Sequence, residues 1–350
     1  MKTVTVSTST KYDVLIGKGL LADIGKLTAA VKKTCRAAIL SDDRVFPLYG
    51  KTVKNSLEAA GFSTCEYIFP NGEASKTLDT FGNILEFLAG EHLTRTDLIV
   101  ALGGGVVGDV AGFCAACFLR GIDFVQIPTS LLAAVDSSVG GKTAVDLKSG
   151  KNLAGAFHQP ILVVCDTDTF QTLDDRQLSC GMAEVIKYGV MCDRPFFDAL
   201  EQGSLPIEDL VERCVSIKRD VVQRDEFDNG ERKFLNLGHT LGHAVEKHSN
   251  FSLTHGAAVA VGMMMIARIS EQRGYAKEPL TARLDAVLRR YALPTSYAIS
   301  ANELFDIARG DKKTEGSSIT LVIPERFGEC TLQKLPLADF APLCALCAAK

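Results

Sequence analysis

Four of the six histidines in this chain of 350 residues fall between Arg232 and His255. They are His239, His243, His248 and His255, in a stretch that also holds Arg232, Asn236 and Glu246. Imidazole is the commonest metal ligand among side chains. His239 and His243 stand four apart, so on a helix both rings project from one face, a turn from each other. That spacing raises a metal site, but helices that merely carry surface histidines share it, so the deciding groups must come from elsewhere in the chain. Arg232, Asn236 and His239 stand at i, i+4 and i+7. On a continuous helix they put a guanidinium, an amide and an imidazole on one face. His248 has no evident role and reads as surface.

Upstream, Gly181 to Gly189 places Glu184 and Lys187 on one face of an otherwise apolar helix. Charges there are costly to bury unless they pair or bind a metal. Glu184 can supply the carboxylate of a two-histidine, one-carboxylate site, the ligand set that leaves a position open for water or substrate. Lys218 lies on the helix before the histidine stretch, and Lys312-Lys313 follow Asp311 far downstream. An acidic protein that gathers cations around a candidate metal points to an anionic substrate, such as a carboxylate carrying a phosphate. Each lysine taken singly is equally a solvated surface residue.

The first half carries a different chemistry. The run Leu98 to Leu102 reads as a buried strand. It passes into Gly103-Gly104-Gly105-Val106-Val107-Gly108-Asp109, which opens a helix. Glycines at such a turn let backbone approach a diphosphate, and the helix N-terminus supplies free N–H groups and a positive dipole end. Asp42 closes an earlier strand, where an acidic group can hold a ribose, although acidic residues often end strands. Pro70-Asn71-Gly72-Glu73-Ala74-Ser75-Lys76 forms a second turn that could reach the same crevice, and Thr129-Ser130 add hydroxyls after Pro128. Asp136, Gly140-Gly141-Lys142 and Gly150-Lys151-Asn152 are read as loops whose lysines suit an anion. The Gly-Gly-Lys-Thr run is not a P-loop, because the first glycine of that motif is missing at the required distance.

The elements that must position these groups follow from periodicity. Val14–Ile16, Ala37–Leu40, Cys65–Phe69, Leu98–Leu102, Phe124–Ile127 and Ile161–Cys165 are short apolar runs. The helical spacings Lys51–Ala60 and Thr77–Leu88 lie among them. That alternation predicts a mostly parallel sheet covered on both faces, a Rossmann-like α/β domain over residues 1–175. After Asp175 helical periods dominate, with one hairpin around Pro324 and Gly328. A mainly α-helical domain over 176–350 is expected, with the cleft between the two as the default place for a site. A formal net charge of -4 argues against nucleic acid or an anionic membrane as partner. The longest apolar run, Ala257–Ala267, is too short to span a bilayer, and no secretory leader precedes the first strand. Eleven scattered cysteines suit a reducing cytoplasm better than a disulfide framework. Both Cys-x-x-Cys pairs, Cys114/Cys117 and Cys344/Cys347, read as buried core thiols.

Taken together and in order, these motifs resemble the 3-dehydroquinate synthase family of sugar-phosphate cyclases. The resemblance runs from the Pro70–Lys76 turn through Ala101–Asp109, Arg120-Gly121, Pro128–Leu132, Val135–Lys142 and Gly150–Phe157. It continues through Ala183–Gly189, Leu235–Glu246, His255-Gly256 and Asp311–Lys313. Ser130, Leu237, Leu241 and Asp228 depart mildly from the family pattern, and none of these removes a charged group. The resemblance implies a cytoplasmic homodimer using NAD and one zinc or cobalt ion per subunit. The substrate implied is 3-deoxy-D-arabino-heptulosonate 7-phosphate, converted to 3-dehydroquinate with loss of phosphate. By matched positions, Glu184, His239 and His255 bind the metal. NAD lies on Asp42, Asn71 to Lys76, Gly105 to Asp109, Thr129-Ser130, Lys142, Lys151 and the turn Thr169-Phe170-Gln171-Thr172. Substrate meets Asp136, Lys142, Asn152, Lys187, Lys218, Arg232, Asn236, His243 and Lys313, with Lys312 as the alternative to the last. Arg120 is implied to reach the substrate phosphate of the neighbouring subunit. The competing readings are a cyclase acting on a sugar phosphate without a carboxylate, and a metal-dependent NAD polyol-phosphate dehydrogenase.

Overall fold

Runs apolar on both sides, such as Arg36–Asp42 and Leu98–Gly103, belong inside a covered sheet, and the computed structural model places them there. The structure describes residues 1–310, 314–315 and 317–347. The chain forms two compact units, Met1–Leu173 with Ile207–Phe227, and Asp174–Pro206 with Asp228–Lys350.

The first unit is built on strands β1 (Lys2–Ser7), β2 (Lys11–Gly17), β3 (Arg36–Asp42), β4 (Ser63–Phe69), β5 (Leu98–Gly103) and β6 (Asp123–Pro128). The hairpin β7 (Lys142–Leu147) and β8 (Gly150–Phe157) and the strand β9 (Leu162–Asp166) complete it. Seven of these make one sheet in the order β1-β2-β9-β6-β5-β3-β4. All neighbours are parallel except β1, which runs antiparallel to β2. Helices α1 (Ile24–Ala29), α2 (Lys51–Ala59), α3 (Leu78–Gly90) and α4 (Gly105–Cys117) cover the two faces. The pleat separates them: Ile39 and Val100 pack with Ile24, Val53 and Leu57 on one side. Leu40 and Ile99 pack with Ile84, Leu88 and Val110 on the other. The order reverses between adjacent β3 and β5, since β3 leads outward to β4 and β5 leads the opposite way to β6. In open α/β sheets, ligands bind outside the carboxyl ends of strands at such a reversal.

Asp97 ties the two strands of the reversal together. Its carboxylate accepts the Arg36 backbone N–H at 2.9 Å, the Thr94 N–H at 2.6 Å and the Thr94 hydroxyl at 2.8 Å. Burial pushes its pKa up, but those three donors outweigh it and hold the carboxyl below its ordinary value. A depressed folded pKa means stability that is whole above the unfolded value and lost as pH falls through the folded one. Replacing Asp97 by Ala is expected to cost about 1–3 kcal/mol at neutral pH, the usual penalty for stranding buried donors. In urea unfolding, the gap to the unaltered protein should shrink as pH drops below about 4; a gap independent of pH contradicts the assignment.

Two expectations change here. Lys142, Lys151 and Asn152 were expected on loops, but they sit on the two-stranded antiparallel hairpin β7–β8. Asp146 N donates to Lys76 O at 2.8 Å, which secures that hairpin to the Pro70–Lys76 turn. Small residues such as Ala154, Gly155 and Ala156 hide the strand signal, because they carry little β-propensity. Cys117 is exposed rather than core, while Cys114, Cys344 and Cys347 are buried, and all the cysteines are free thiols. Cys117 is the last residue of α4.

The second unit takes α5 (Asp175–Cys192) and α6 (Arg194–Gln202). The chain then returns to the first unit as α7 (Ile207–Arg224), a segment that a boundary near 175 assigns to the second domain. The amphipathic pattern of α7 shows that one face is buried but not against which partner. Lys2 pairs with Asp209 and Glu212 on α7, and Ser9 N donates to Glu226 at 2.8 Å. Helices α8 (His239–His248), α9 (His255–Gln272), α10 (Thr281–Arg290), α11 (Ala301–Ala308) and α12 (Leu337–Cys347) complete the second unit. With them goes a small antiparallel sheet of β10 (Thr314–Glu315), β11 (Ser318–Arg326) and β12 (Glu329–Pro336). Among the described residues, no helix is long and apolar enough to cross a membrane.

Candidate active site

Every residue of α5 from Cys180 to Met191 is buried, so its two charged side chains face protein. Glu184 is fully buried, and Lys187 Nζ lies 2.5 Å from its Oε2, one turn along the helix. Two further helices begin beside this carboxylate. His239 is the first residue of α8, and His255 is the first residue of α9, whose cap Thr254 accepts the Ala257 N–H. The start of α8 is set by Gly238 in the left-handed region at φ 77, where a Cβ would meet Met263 Cγ at 2.7 Å and Val259 O at 2.9 Å. Only glycine fits so close to the backbone of α9.

That turn corrects one sequence expectation. Arg232, Asn236 and His239 do not share one continuous helix face. Residues Glu231–Asn236 form a 3₁₀ segment, and the chain breaks at Leu237-Gly238 before α8. Tight α8–α9 packing, invisible in the local pattern, imposes the break. Arg232 is buried and Asn236 half-buried in the second unit, each placed by that segment rather than by helical repeat.

The ring nitrogens are sorted by their partners. His239 Nδ1 lies 3.1 Å from the Leu237 carbonyl, which can only accept, so Nδ1 carries the proton and Nε2 presents a lone pair. His239 Nε2 is 3.4 Å from Glu184 Oε1, and His255 Nε2 is 3.3 Å from the same oxygen. One donor atom from each of the three residues lies within 4.8 Å of the others. Neither buried Glu184 oxygen makes a hydrogen bond of sound geometry, although Lys187 pairs with one of them. The His239 lone pair and a Glu184 oxygen converge on one point beside His255, an arrangement that a positive charge among them stabilises. Two imidazoles and one carboxylate are also the donor set of an open catalytic zinc site, so these residues fit a divalent cation.

Burial drives the His239 pKa down to about 3, against the pull of Glu184, so this ring is neutral. Burial also opposes charge on His255, but Glu184 and Glu246 outweigh it and hold the pKa up at about 9. Glu184 is pushed up by burial, yet the Lys187 ammonium outweighs that and keeps it well below the usual carboxylate range. A permanently anionic Glu184 beside a neutral imidazole is a ready pair of ligands.

His243 sits one turn beyond His239, with ring centroids 5.4 Å apart, and 5.8 Å from the His255 ring. His243, Glu246 and His255 form a second group whose donor atoms approach within 4.8 Å. His255 belongs to both groups, and Glu246 faces its Nδ1 at 3.4 Å while Glu184 faces its Nε2. Glu246 lies within the Leu235–Glu246 motif, which assigns it no role. Its place three residues after His243, on the same helix face, is the signal that marks it. His248 Nδ1 lies 3.0 Å from the Tyr297 hydroxyl, away from these groups. Lys312 and Lys313 lie outside the described residues.

In the first unit, the expected nucleotide residues collect at the carboxyl ends of consecutive sheet strands. Asp42 ends β3, Asn71–Lys76 follow β4, Gly105–Asp109 open α4 after β5, Thr129-Ser130 follow β6, and Thr169–Thr172 follow β9. Asn71 Nδ2 donates to Asp42 Oδ2 at 3.1 Å, which links the first two loops. Lys76 Nζ bridges Asp109 Oδ2 at 2.6 Å and Asn152 Oδ1 at 2.5 Å. Burial disfavours the Lys76 charge, but Asp109 and Glu73 outweigh it and hold the ammonium above its ordinary pKa. Lys151 Nζ pairs with Glu73 at 3.1 Å. Tyr49 holds the Thr169–Thr172 turn, with its hydroxyl 2.7 Å from Thr172 Oγ1, a role the sequence did not suggest. Lys218, on α7, pairs with Asp136 Oδ1 at 2.8 Å within the same unit. Lys142 is exposed on β7. Arg120 is exposed at φ 71, next to Leu119 at φ 51, a left-handed pair that side chains rarely adopt.

Known proteins match over this whole arrangement. The family model described as 3-dehydroquinate synthase N-terminal matches residues 66–180, and that described as 3-dehydroquinate synthase C-terminal matches residues 181–314. The 3-dehydroquinate synthase of Streptococcus suis (strain 05ZYH33) is 44% identical over 340 residues, covering 95% of this chain and 96% of that protein. The 3-dehydroquinate synthase of Clostridium acetobutylicum is 44% identical over 332 residues, covering 93% of each. Among solved structures, a 2-deoxy-scyllo-inosose synthase complexed with carbaglucose-6-phosphate, NAD+ and Co2+ superposes with a TM-score of 0.87 at 25% identity. That match covers 98% of this chain and 99% of the other.

Proposed function

The chain belongs to the 3-dehydroquinate synthase family, and on that premise we propose that it converts 3-deoxy-D-arabino-heptulosonate 7-phosphate to 3-dehydroquinate and phosphate, a step of the shikimate route to aromatic amino acids. The observation that carries this reading is the convergence of Glu184, His239 and His255 on one point in a chain 44% identical to synthases of that name. The related cyclase with a carboxylate-free ligand is 25% identical, which favours the sugar acid as substrate.

Bound NAD supplies a hydride acceptor that returns what it takes, and a bound zinc or cobalt ion supplies a Lewis acid for the reacting oxygen. The overall sequence is transient oxidation, phosphate elimination, re-reduction, ring opening and intramolecular aldol closure, with no net redox change. Glu184, His239 and His255 hold the cation. Lys142, Lys187, Lys218, Arg232 and Lys313 orient the substrate carboxylate and phosphate as fixed charges, and Asp136 steadies Lys218. Asn152 and Asn236 offer amides to the substrate's polar groups. His243, one turn beyond His239, carries the proton of the reacting alcohol. The loops at the carboxyl ends of β3, β4, β5, β6 and β9 receive NAD. The N-terminus of α4 at Gly105–Asp109 would hold its diphosphate, and Asp42 would hold its ribose. Lys142 and Lys151 would serve the same cofactor. The left-handed strain at Leu119-Arg120 supports a functional turn there, and Arg120 reaches the substrate phosphate of a second subunit in a homodimer. Free thiols throughout suit work in the cytoplasm.

The test is phosphate release from the heptulosonate phosphate with NAD far below substrate. Many turnovers per NAD, with no lasting rise in NADH absorbance, are expected. Accumulation of one NADH per substrate consumed identifies a dehydrogenase instead, and activity that survives thorough chelation removes the metal from the reading.

A further inference from the structure

Glu246 is a carboxylate on α8 that is only 5% exposed, and nothing in the reaction above uses it. Burying a carboxylate is costly unless a partner holds it. Its Oε2 lies 3.4 Å from Nδ1 of His255, while Nε2 of the same ring lies 3.3 Å from Glu184 Oε1. The imidazole is therefore strung between two carboxylates, one on each nitrogen. The two nitrogens of the ring point in divergent directions, so a single cation can sit on only one of them. The Nε2 side carries the second converging imidazole, that of His239, whose Nδ1 is committed to the Leu237 carbonyl. That leaves the Nδ1 side of His255 for its proton, and Glu246 as the acceptor of that proton.

We propose that Glu246 is a positioning residue of the metal centre: it holds the Nδ1–H of His255, so fixing the tautomer and ring angle that present Nε2 beside Glu184 and His239, and it strengthens that nitrogen as a donor. The inference rests on the metal reading given above and goes beyond it. The two histidines are thereby unequal. His239 is oriented by a neutral carbonyl, whereas His255 is oriented by an anion, which makes its imidazole the more basic ligand. A carboxylate behind a metal-bound histidine generally matters to metal affinity by a factor of roughly 10 to 100.

The test titrates metal-free protein with Zn2+ against a chromophoric chelator and records the visible spectrum of the Co2+ form. Glu246→Gln keeps the shape but removes the charge. It should weaken the Zn2+ Kd by roughly 10- to 100-fold while the Co2+ band pattern, which reports ligand number and type, stays that of the unaltered protein. An unchanged Kd, with only a lower Tm of the metal-free protein, assigns Glu246 a structural role and overturns the proposal. A Co2+ spectrum that changes ligand type in Glu246→Gln, with metal still bound by Glu184→Gln, makes Glu246 a direct ligand and also overturns it. If Glu246→Gln does not fold, nitrogen-15 NMR of the histidines in the unaltered Zn2+-loaded protein decides: a protonated Nδ1 on His255 is expected, and a deprotonated one refutes the idea. Unaltered protein that binds no Zn2+ overturns the metal site itself, whereas tight binding that Glu246→Gln leaves intact overturns only this inference.

Discussion

Glu184→Ala protein is expected to retain well under one metal ion per chain by elemental analysis and to lose on the order of 10³-fold or more in turnover. The estimate follows from withdrawing several kcal/mol of charge stabilisation, at about 1.4 kcal/mol per tenfold in rate. The same change has a second consequence, because Lys187 sits 1% exposed at 2.5 Å from this carboxylate. Removing the anion takes its ion-pair partner from a buried ammonium, which typically costs about 3–5 kcal/mol. The double variant Glu184→Gln with Lys187→Met separates the two effects. It removes both charges at similar volume, a change that is often neutral for stability, and it should fold without binding metal. A Glu184→Gln protein that keeps a full complement of metal moves the cation to the other group, His243, Glu246 and His255.

His243→Ala supplies the complementary result. If His243 handles a proton rather than the metal, its loss should lower kcat by about 10²- to 10⁴-fold, the usual range for a general acid–base group. Metal content should stay near one per chain. The geometry makes this a fair trial, since the His243 ring lies 5.4 Å from that of His239 and 5.8 Å from that of His255, near enough for either role. Collapse of metal content in His243→Ala, with metal kept in Glu184→Ala, reverses the assignment of the two groups.

Much of the first unit was legible because its signals are local. A strand buried on both faces needs an unbroken apolar run, and Leu98–Leu102 has one. A backbone that must turn sharply into a helix needs glycine, and Gly103-Gly104-Gly105 stand there. The hairpin β7–β8 escaped notice for the opposite reason. Most of its residues are small or polar, and its anchor is a backbone bond from Asp146 to Lys76. The long helix α7 was recognised as a helix, but its grouping with the first unit depends on Glu212 and Glu226 meeting Lys2 and Ser9, more than 200 residues away in sequence. Periodicity reports that a face is buried and carries no information about what buries it.

The metal site divides along the same line. The sequence alone determined the inventory: a carboxylate and a lysine one turn apart on an apolar helix, two histidines four apart, and a third before a small-residue helix. Together with the order of the motifs, that inventory carried the resemblance to the family, and the resemblance implied Glu184, His239 and His255 as ligands. Helical spacing by itself treated His239 and His243 as equals and lined Arg232 and Asn236 up beside them. The tertiary structure broke that line at Gly238, where α9 comes too close for any side chain. It also separated the rings by what lies behind each one: the Leu237 carbonyl for His239, and Glu246 on one side of His255 with Glu184 on the other. A side chain's type is written in the sequence. Which of its lone pairs is free is decided by partners that only folding brings within hydrogen-bond reach.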